Sequence, residues 1–435
     1  MGAQFWTTFC ASKKALACFL ALDAALLFAY APTLGVSAGE ARLFFGDEGA
    51  IGHILRFSAS LFGQNNLAIR APFILTHIFN AAMIYAVARR SMRPSDALIA
   101  TIFFALLPGV NSAALLASMA PFAMSVALIY VWLSDRYEPL AIAALFLSAI
   151  ADNLFIALNI AAACYEISRS RKRQAVLFIC FAALSFALHS FEFGGRPRGY
   201  FLDIFGLYGA IFSPFILCYF IYTIYWYLFK NSEKLPALWF VSFAPFALSI
   251  LLSMRQNLPI EEYAPFAAIS TPLMTRAFMN SWRIRLPQFR KMHITLAVVF
   301  ITSLLALGAL TFFNKAIYAI TDKHFARAHH FAQELSQTLK AKNIYAVQCS
   351  SQSLAIRLRF YGIESGGGYI LSVKKPPDDQ AAEAIEFFVF NARAAVFYLS
   401  AVPNASANDD APRNPAPELR DELEIEKLRS QRREN

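Results

Sequence analysis

The chain has 435 residues, of which 57% are hydrophobic and only 16% charged, and its mean hydropathy is +0.46. That lies well outside the range of an ordinary soluble domain, so the chain reads as a bilayer protein. The formal net charge of +10 needs no nucleic acid to explain it, because basic loops facing anionic lipid headgroups account for most of it and the interleaved aromatics of a base-stacking groove are not evident.

A membrane span needs roughly 20 mostly apolar residues, and such stretches recur from about Ala15 to Phe313. The first follows Lys13 and Lys14 and has the outline of a signal peptide. It is read instead as a span, because it is long enough to cross and ten more apolar segments follow. Eleven helices are expected, near 15–32, 70–88, 96–109, 113–133, 139–151, 153–167, 174–190, 204–229, 236–254, 263–280 and 292–313. The pair at 139–151 and 153–167 is short. It is either two thin, tilted spans or a hairpin that does not cross fully.

Lys and Arg in the short loops give the orientation. With a cytoplasmic N-terminus, one face receives sixteen: Lys13, Lys14, Arg89, Arg90, Arg93, Arg136, Arg169, Arg171, Lys172, Arg173, Lys230, Lys234, Arg283, Arg285, Arg290 and Lys291. The other receives six: Arg42, Arg56, Arg70, Arg196, Arg198 and Arg255. An odd number of spans then exports everything after Phe313.

That exported part reads as a small α/β unit. It comprises a polar helix (KHFARAHHFAQELSQTLKAK), a strand (NIYAVQC), a helix (SQSLAIRLRFYGI), a strand (YILSV), a helix (DQAAEAIEFFVFN) and a strand (AAVFYLSA). Alternation of this kind points to a mostly parallel sheet. From Pro403 the composition is that of a disordered linker followed by a charged tail. The expected division is therefore 1–313 multi-span, 314–402 extracytoplasmic α/β, and 403–435 tail.

Five of the six cysteines fall in or beside spans and only Cys349 lies in the exported part, so no disulfide is expected there and no spacing points to zinc. His329 and His330 are read as part of a solvated helix surface rather than a metal site.

The exported loop after the first span, GEARLFFGDEGAIGHILRFSASLFGQNN, concentrates Glu40, Asp47, Glu48 and His53 between apolar neighbours. Ionisable groups at a membrane boundary tend to mark sites. The plainer alternative is that they keep the loop wet and cap a helix beginning near Gly49. The wider arrangement includes LFGQNNLAIRAP at Leu61–Pro72, the basic turn ARRSMRPSD, FFALLPG closing a short third span, and IEEYAPFAAIS at Ile260–Ser270. It resembles the polyprenol-phosphate-dependent glycosyltransferases of family 39, among them the protein O-mannosyltransferases and the lipid A aminoarabinose transferases.

The resemblance implies a GT-C-like polytopic fold of about eleven spans with an extracytoplasmic α/β domain. It also implies an inverting transfer from a polyprenyl-phosphate-linked sugar to an envelope acceptor at the periplasmic face of a bacterial inner membrane. In the family the first exported loop carries an Asp-Glu pair whose Asp is regarded as the general base, since the acceptor proton must leave as the anomeric carbon gains positive character. Two placements stay open here. By distance from the first span GEARLFF matches, with Glu40 at the Glu position; by identity Asp47-Glu48 is the loop's one Asp-Glu dipeptide. The Lys-Pro-Pro or Tyr-Pro-Pro segment expected before LFG is absent, and LLASMAPFAM from Leu115 to Met124 lacks a second family Asp.

Arg255, Arg70, Arg196 and Arg198 are the candidates for the donor phosphate, which a guanidinium fork suits. Further cavity candidates are His53, Asp152, Glu262 and Tyr263. Asp23, His77 and Asn80 are read first as pairing between helices. No cofactor is certain and no metal ligand set is offered, so a divalent cation is left open. Membrane lipids are the remaining partners. The alternatives are a transporter or flippase, or a catalytically inactive scaffold.

Overall fold

The computed structural model describes residues 13–46, 49–189, 200–230, 234–254, 263–286, 288, 290–315, 330–373, 383–389 and 392–401. Two compact units emerge. The first is Met1–Phe28 with Phe73–Thr311; the second is Ala29–Pro72 with Phe312–Asn435. Residues 29–72 therefore fold with the C-terminal segment, a grouping that a single division at 313 does not contain. The tail at 403–435 lies outside the described residues.

The helices, in chain order, are α1 Lys13–Tyr30, α2 Ala38–Phe45, α3 Ala50–Phe62, α4 Asn66–Ala88, α5 Pro94–Leu106, α6 Pro108–Leu115, α7 Ala120–Leu133, α8 Glu138–Ala151, α9 Phe155–Ser168 and α10 Lys172–His189. There follow α11 Phe201–Phe212, α12 Pro214–Phe229, α13 Ala237–Ser253, α14 Ala264–Ala268, α15 Thr271–Ile284 and α16 Arg290–Phe312. Among the described residues four are long and apolar enough to cross a membrane, or up to six if each bent pair is one span.

Those bends fall where the sequence expectation was continuous. Segment 204–229 divides into α11 and α12, which meet at 102°. Pro214 cannot donate an N–H to the preceding turn and its ring excludes helical backbone at Ser213, which sits at φ 82°, ψ 149°. The same device at Pro108 turns α5 into α6 by 62°. Segment 263–280 likewise parts into α14 and α15 ahead of Pro272.

Packing in the first unit relies on small residues and aromatic rings. Ala123, Ala127, Ala161 and Ala162 are fully buried, which lets backbones approach where lipid removes the usual hydrophobic drive. Tyr208, Phe212, Phe220 and Phe246 fill the space between α11, α12 and α13 with ring centroids 4.9–5.3 Å apart. Leu22, Leu26, Val176, Ile179, Val298 and Ile301 face outward and are each more than half exposed, as helices in hydrocarbon require. The expected inter-helix pairing is present: His77 Nε2 lies 2.9 Å from Asp23 Oδ2. Asn80 donates to the Pro121 carbonyl and accepts from Ser125 Oγ, both at 2.7 Å.

The second unit adds α17 Ala332–Ala341, β1 Ala346–Cys349, α18 Gln352–Phe360, β2 Glu364–Ser372, β3 Glu383–Val389 and β4 Ala392–Ala401. Its sheet has the order β1-β2-β4-β3. The β1–β2 pair is parallel across the α18 crossover, but β2–β4 and β3–β4 are antiparallel. The sheet is thus mixed rather than mostly parallel, because EAIEFFV is a strand and not the helix expected for DQAAEAIEFFVFN. Ile385 and Phe387 alternate with Glu386 and Phe388, and β-branched and aromatic side chains pack better on a pleated face.

Gly367 permits the irregular β1–β2 register, since a Cβ there would stand 2.7 Å from the Ala346 carbonyl. The core of this layer is Leu335, Leu339, Val347, Leu354, Leu358, Leu371, Phe397 and Leu399. His330 departs from the solvated helix expected of it. It precedes α17 and is buried, with Nε2 3.0 Å from Asn314 Oδ1.

Candidate functional site

The stretch Ser37-Ala-Gly-Glu40 opens α2 with a reciprocal cap. Ser37 Oγ accepts from the Glu40 N–H at 3.2 Å, and Glu40 Oε2 accepts from the Ser37 N–H at 2.8 Å. Glu40 is 5% exposed, and its Oε2 also lies 3.5 Å from Arg70 Nη2. Arg70 is wholly buried near the start of α4 and donates to the carbonyls of Asn66 and Gly35, each at 3.0 Å. Among the described residues, these two site candidates have side chains that meet. Both hold backbone, so the geometry gives them a positioning role before any chemical one.

The LFGQNN run has a physical account. Gly63 leaves α3 at φ 81°, a conformation that favours glycine. Asn65 Oδ1 then accepts from the Ala68 N–H at 2.8 Å, capping the first turn of α4. Asn66 donates to the Pro32 carbonyl at 3.1 Å and to Gln333 Oε1 at 2.7 Å, and it accepts from the Tyr361 hydroxyl at 2.7 Å. That hydroxyl accepts in turn from the Val36 N–H at 2.9 Å. Burial pushes the Tyr361 phenol above its ordinary pKa, which keeps it a donor to Asn66 throughout the physiological range.

Asp47 and Glu48 lie outside the described residues, as do Arg196, Arg198, Arg255 and Glu262. The flanks of the acidic dipeptide are described. Arg56 on α3 donates to the Phe44 carbonyl at 3.0 Å and also to that of Gly46, the residue before Asp47. His53 is exposed, with Nδ1 3.3 Å from Arg56 Nη2. Arg56 was missed as a participant in the sequence. Its signal was there: it stands one helical turn after His53, on the helix that follows the acids.

Also missed was a pocket of about 380 Å³ in the second unit, lined by Gln64, Gln333, Ser336, Gln337, Lys340 and the stretch Arg359–Gly362. Gln333, Gln337 and Lys340 recur at i, i+4 and i+7, so one face of α17 delivers them together. Amides, two cations and the aromatic Phe360 and Tyr361 make a surface able to hold a hydroxylated, negatively charged group.

In the first unit Asp152 terminates α8, and its carboxylate accepts from the Leu154 N–H at 3.0 Å. Its carbonyl accepts from Ser185 Oγ at 3.2 Å. Tyr263, 3% exposed, borders a mostly apolar cavity of about 150 Å³ beside Asn153, Leu154, Phe186, Leu248 and Leu252. Among the described residues no three His, Cys, Asp or Glu side chains converge on a metal-binding arrangement.

Residues 50–151, running from α3 to the end of α8, match the family model described as dolichyl-phosphate-mannose-protein mannosyltransferase. The stretch LFGQNNLAIRAP lies within this matched segment, which is similar to that membrane glycosyltransferase family. Arg70, His53 and Arg56 fall inside the matched segment; Glu40, Asp47 and Glu48 precede it. No curated protein matches the sequence.

Two solved structures resemble the chain, both of ArnT from Cupriavidus metallidurans. One, bound to undecaprenyl phosphate, is 12% identical with a TM-score of 0.49, covering 89% of this chain and 98% of that one. The other, in the apo state, is 12% identical with a TM-score of 0.48, covering 92% and 98%.

Proposed function

We propose that the chain is an integral membrane glycosyltransferase that moves a sugar from a polyprenyl-phosphate donor to an envelope acceptor, by an inverting reaction at the periplasmic face of a bacterial inner membrane. In this reading the N-terminus is cytoplasmic and the second unit is exported. The observation that carries it is the match of residues 50–151 to the mannosyltransferase family, joined to a body of apolar helices long enough to span.

The acceptor oxygen attacks the anomeric carbon, the bond from that carbon to the phosphate oxygen breaks, and the acceptor proton passes to a carboxylate. The leaving group is a phosphate, so no general acid is strictly required. Glu40 is committed to the Ser37 N–H and faces Arg70, which moves the base assignment toward Asp47 and Glu48. Arg56, by gripping the Gly46 carbonyl, supports the chain that delivers them. Arg255, Arg196 and Arg198 are assigned to the donor phosphate, and Arg70 to holding the loop.

The test is transfer of radiolabelled sugar from polyprenyl-phosphate donors to envelope lipid, glycan and protein fractions, with Asp47→Asn, Glu48→Gln and Glu40→Gln compared with wild type. Positioned general-base catalysis contributes about 10²–10⁴-fold. A drop of that size in the first or second variant, at wild-type expression and melting temperature, is expected. Absence of transfer by wild type across the donor panel, in membranes where a related transferase works, would favour a scaffold or a transporter.

A further inference from the structure

One pocket in the first unit has no part in the proposed transfer. It measures about 650 Å³ and is walled by the turn after α4, the start of α5 and one face of α15. Five arginines line it, Arg89, Arg90, Arg93, Arg276 and Arg283, against one carboxylate, Asp96. With each guanidinium at +1 and the carboxylate at −1, the lining carries 5 − 1 = +4.

The guanidiniums of Arg89, Arg90 and Arg283 have defined partners, although Arg89, Arg90 and Arg93 are exposed. Asp96 is 2% exposed and accepts from Arg283 Nη2 through both oxygens, at 2.7 and 2.6 Å. Arg89 is anchored by donation to the Met92 carbonyl at 2.9 Å. The Arg90 guanidinium lies 4.9 Å over the Trp132 ring. Burial, and then the nearby Arg136, lower the Arg90 pKa from its ordinary value.

Positive-inside loops explain arginines near a headgroup layer, but they do not require a concavity in which five converge. Guanidinium forks match phosphate oxygens with two parallel bonds, which an ammonium cannot do. Basic pockets between membrane helices are a recurring way of holding a lipid headgroup.

We infer that the pocket bounded by Arg89, Arg90, Arg93, Arg276 and Arg283 is a binding site for a phosphate-bearing anion, separate from the residues proposed for transfer. The chemistry is that of a negatively charged phosphate ester, and its two sources are an acidic phospholipid headgroup and free phosphate.

The test uses the full chain in an uncharged detergent, titrated with short-chain phosphatidylglycerol, short-chain phosphatidylcholine and inorganic phosphate, with thermal stabilisation as the readout. The variants are Arg89→Gln/Arg93→Gln in the pocket and Lys172→Gln/Arg173→Gln as a control. The control removes two exposed basic residues that do not line it. Saturable stabilisation by phosphatidylglycerol is expected, weakened about 30-fold in the pocket variant and unchanged in the control.

If inorganic phosphate stabilises equally and with the same dependence on Arg89 and Arg93, the site stands and its source is the free anion. Should the double variant fail to express, Arg93→Gln alone is expected to weaken binding about fivefold. No saturable stabilisation by either anion, or equal losses in pocket and control variants, overturns the inference. Because the readout is binding, an inactive transferase would not affect it.

Discussion

The two compact units bury polar groups for different ends. In the first, polar side chains pair between helices, as Asp23 does with His77 and Asn80 with Ser125 and the Pro121 carbonyl. In the second, Glu40, Arg70, Asn66 and Tyr361 form a connected chain whose bonds go largely to backbone: Ser37 N–H, Gly35 and Asn66 carbonyls, Pro32 carbonyl and Val36 N–H. A helix in lipid satisfies its own backbone and needs side chains only for register. An irregular loop has no such ladder, so side chains must supply the missing partners.

The most severe test of that contrast is Arg70→Met. Removing one partner of a buried ion pair costs about 3–5 kcal/mol, and Arg70 also braces two carbonyls, so denaturant unfolding in detergent should lose stability in that range. The double variant Glu40→Gln/Arg70→Met should recover part of the loss, giving a coupling energy above about 0.5 kcal/mol. A loss below about 1 kcal/mol would mean that the network is incidental.

A smaller effect is expected for Asn80→Ala in the first unit. Side-chain hydrogen bonds between membrane helices average about 0.6 kcal/mol and reach about 1.7 kcal/mol. A cost equal to that of Arg70→Met would erase the distinction between the units.

The mildest probe is chemical. Burial pushes the Cys349 thiol up to about 11. Because the thiolate is the reactive form, alkylation at pH 8 should run about 100-fold slower than for a free thiol. The rate should climb about tenfold per pH unit from 8 toward 10; a fast reaction at pH 8 would show that the β1 layer opens.

Helix existence was readable because apolar length is a one-dimensional property: each of the eleven expected segments contains helix, from α1 to α16. What failed was continuity, at Ser213–Pro214 and Leu107–Pro108, where a proline inside an apolar run was given too little weight. The strand at Glu383–Val389 was misread because AAEAIEF begins with helix formers, and propensity yields to a hairpin partner in the sheet.

At the site, the Ser37…Glu40 spacing is a capping-box signature visible in the sequence. The arginine facing that acid, thirty residues away at Arg70, is not, because no local rule links them. Nor could the sequence bring Gln64, Lys340 and Arg359 to one pocket, or Arg93 and Arg283 to another.

By itself the sequence determined that this is a polytopic membrane protein with an α/β C-terminal segment, since hydropathy, segment length and period are read residue by residue along the chain. Tertiary structure alone decided that residues 29–72 fold with that segment, that Glu40 faces Arg70, and that five arginines close on one cavity. These are contacts between residues far apart in sequence, and their energy comes from burial and charge that exist only once the chain has folded.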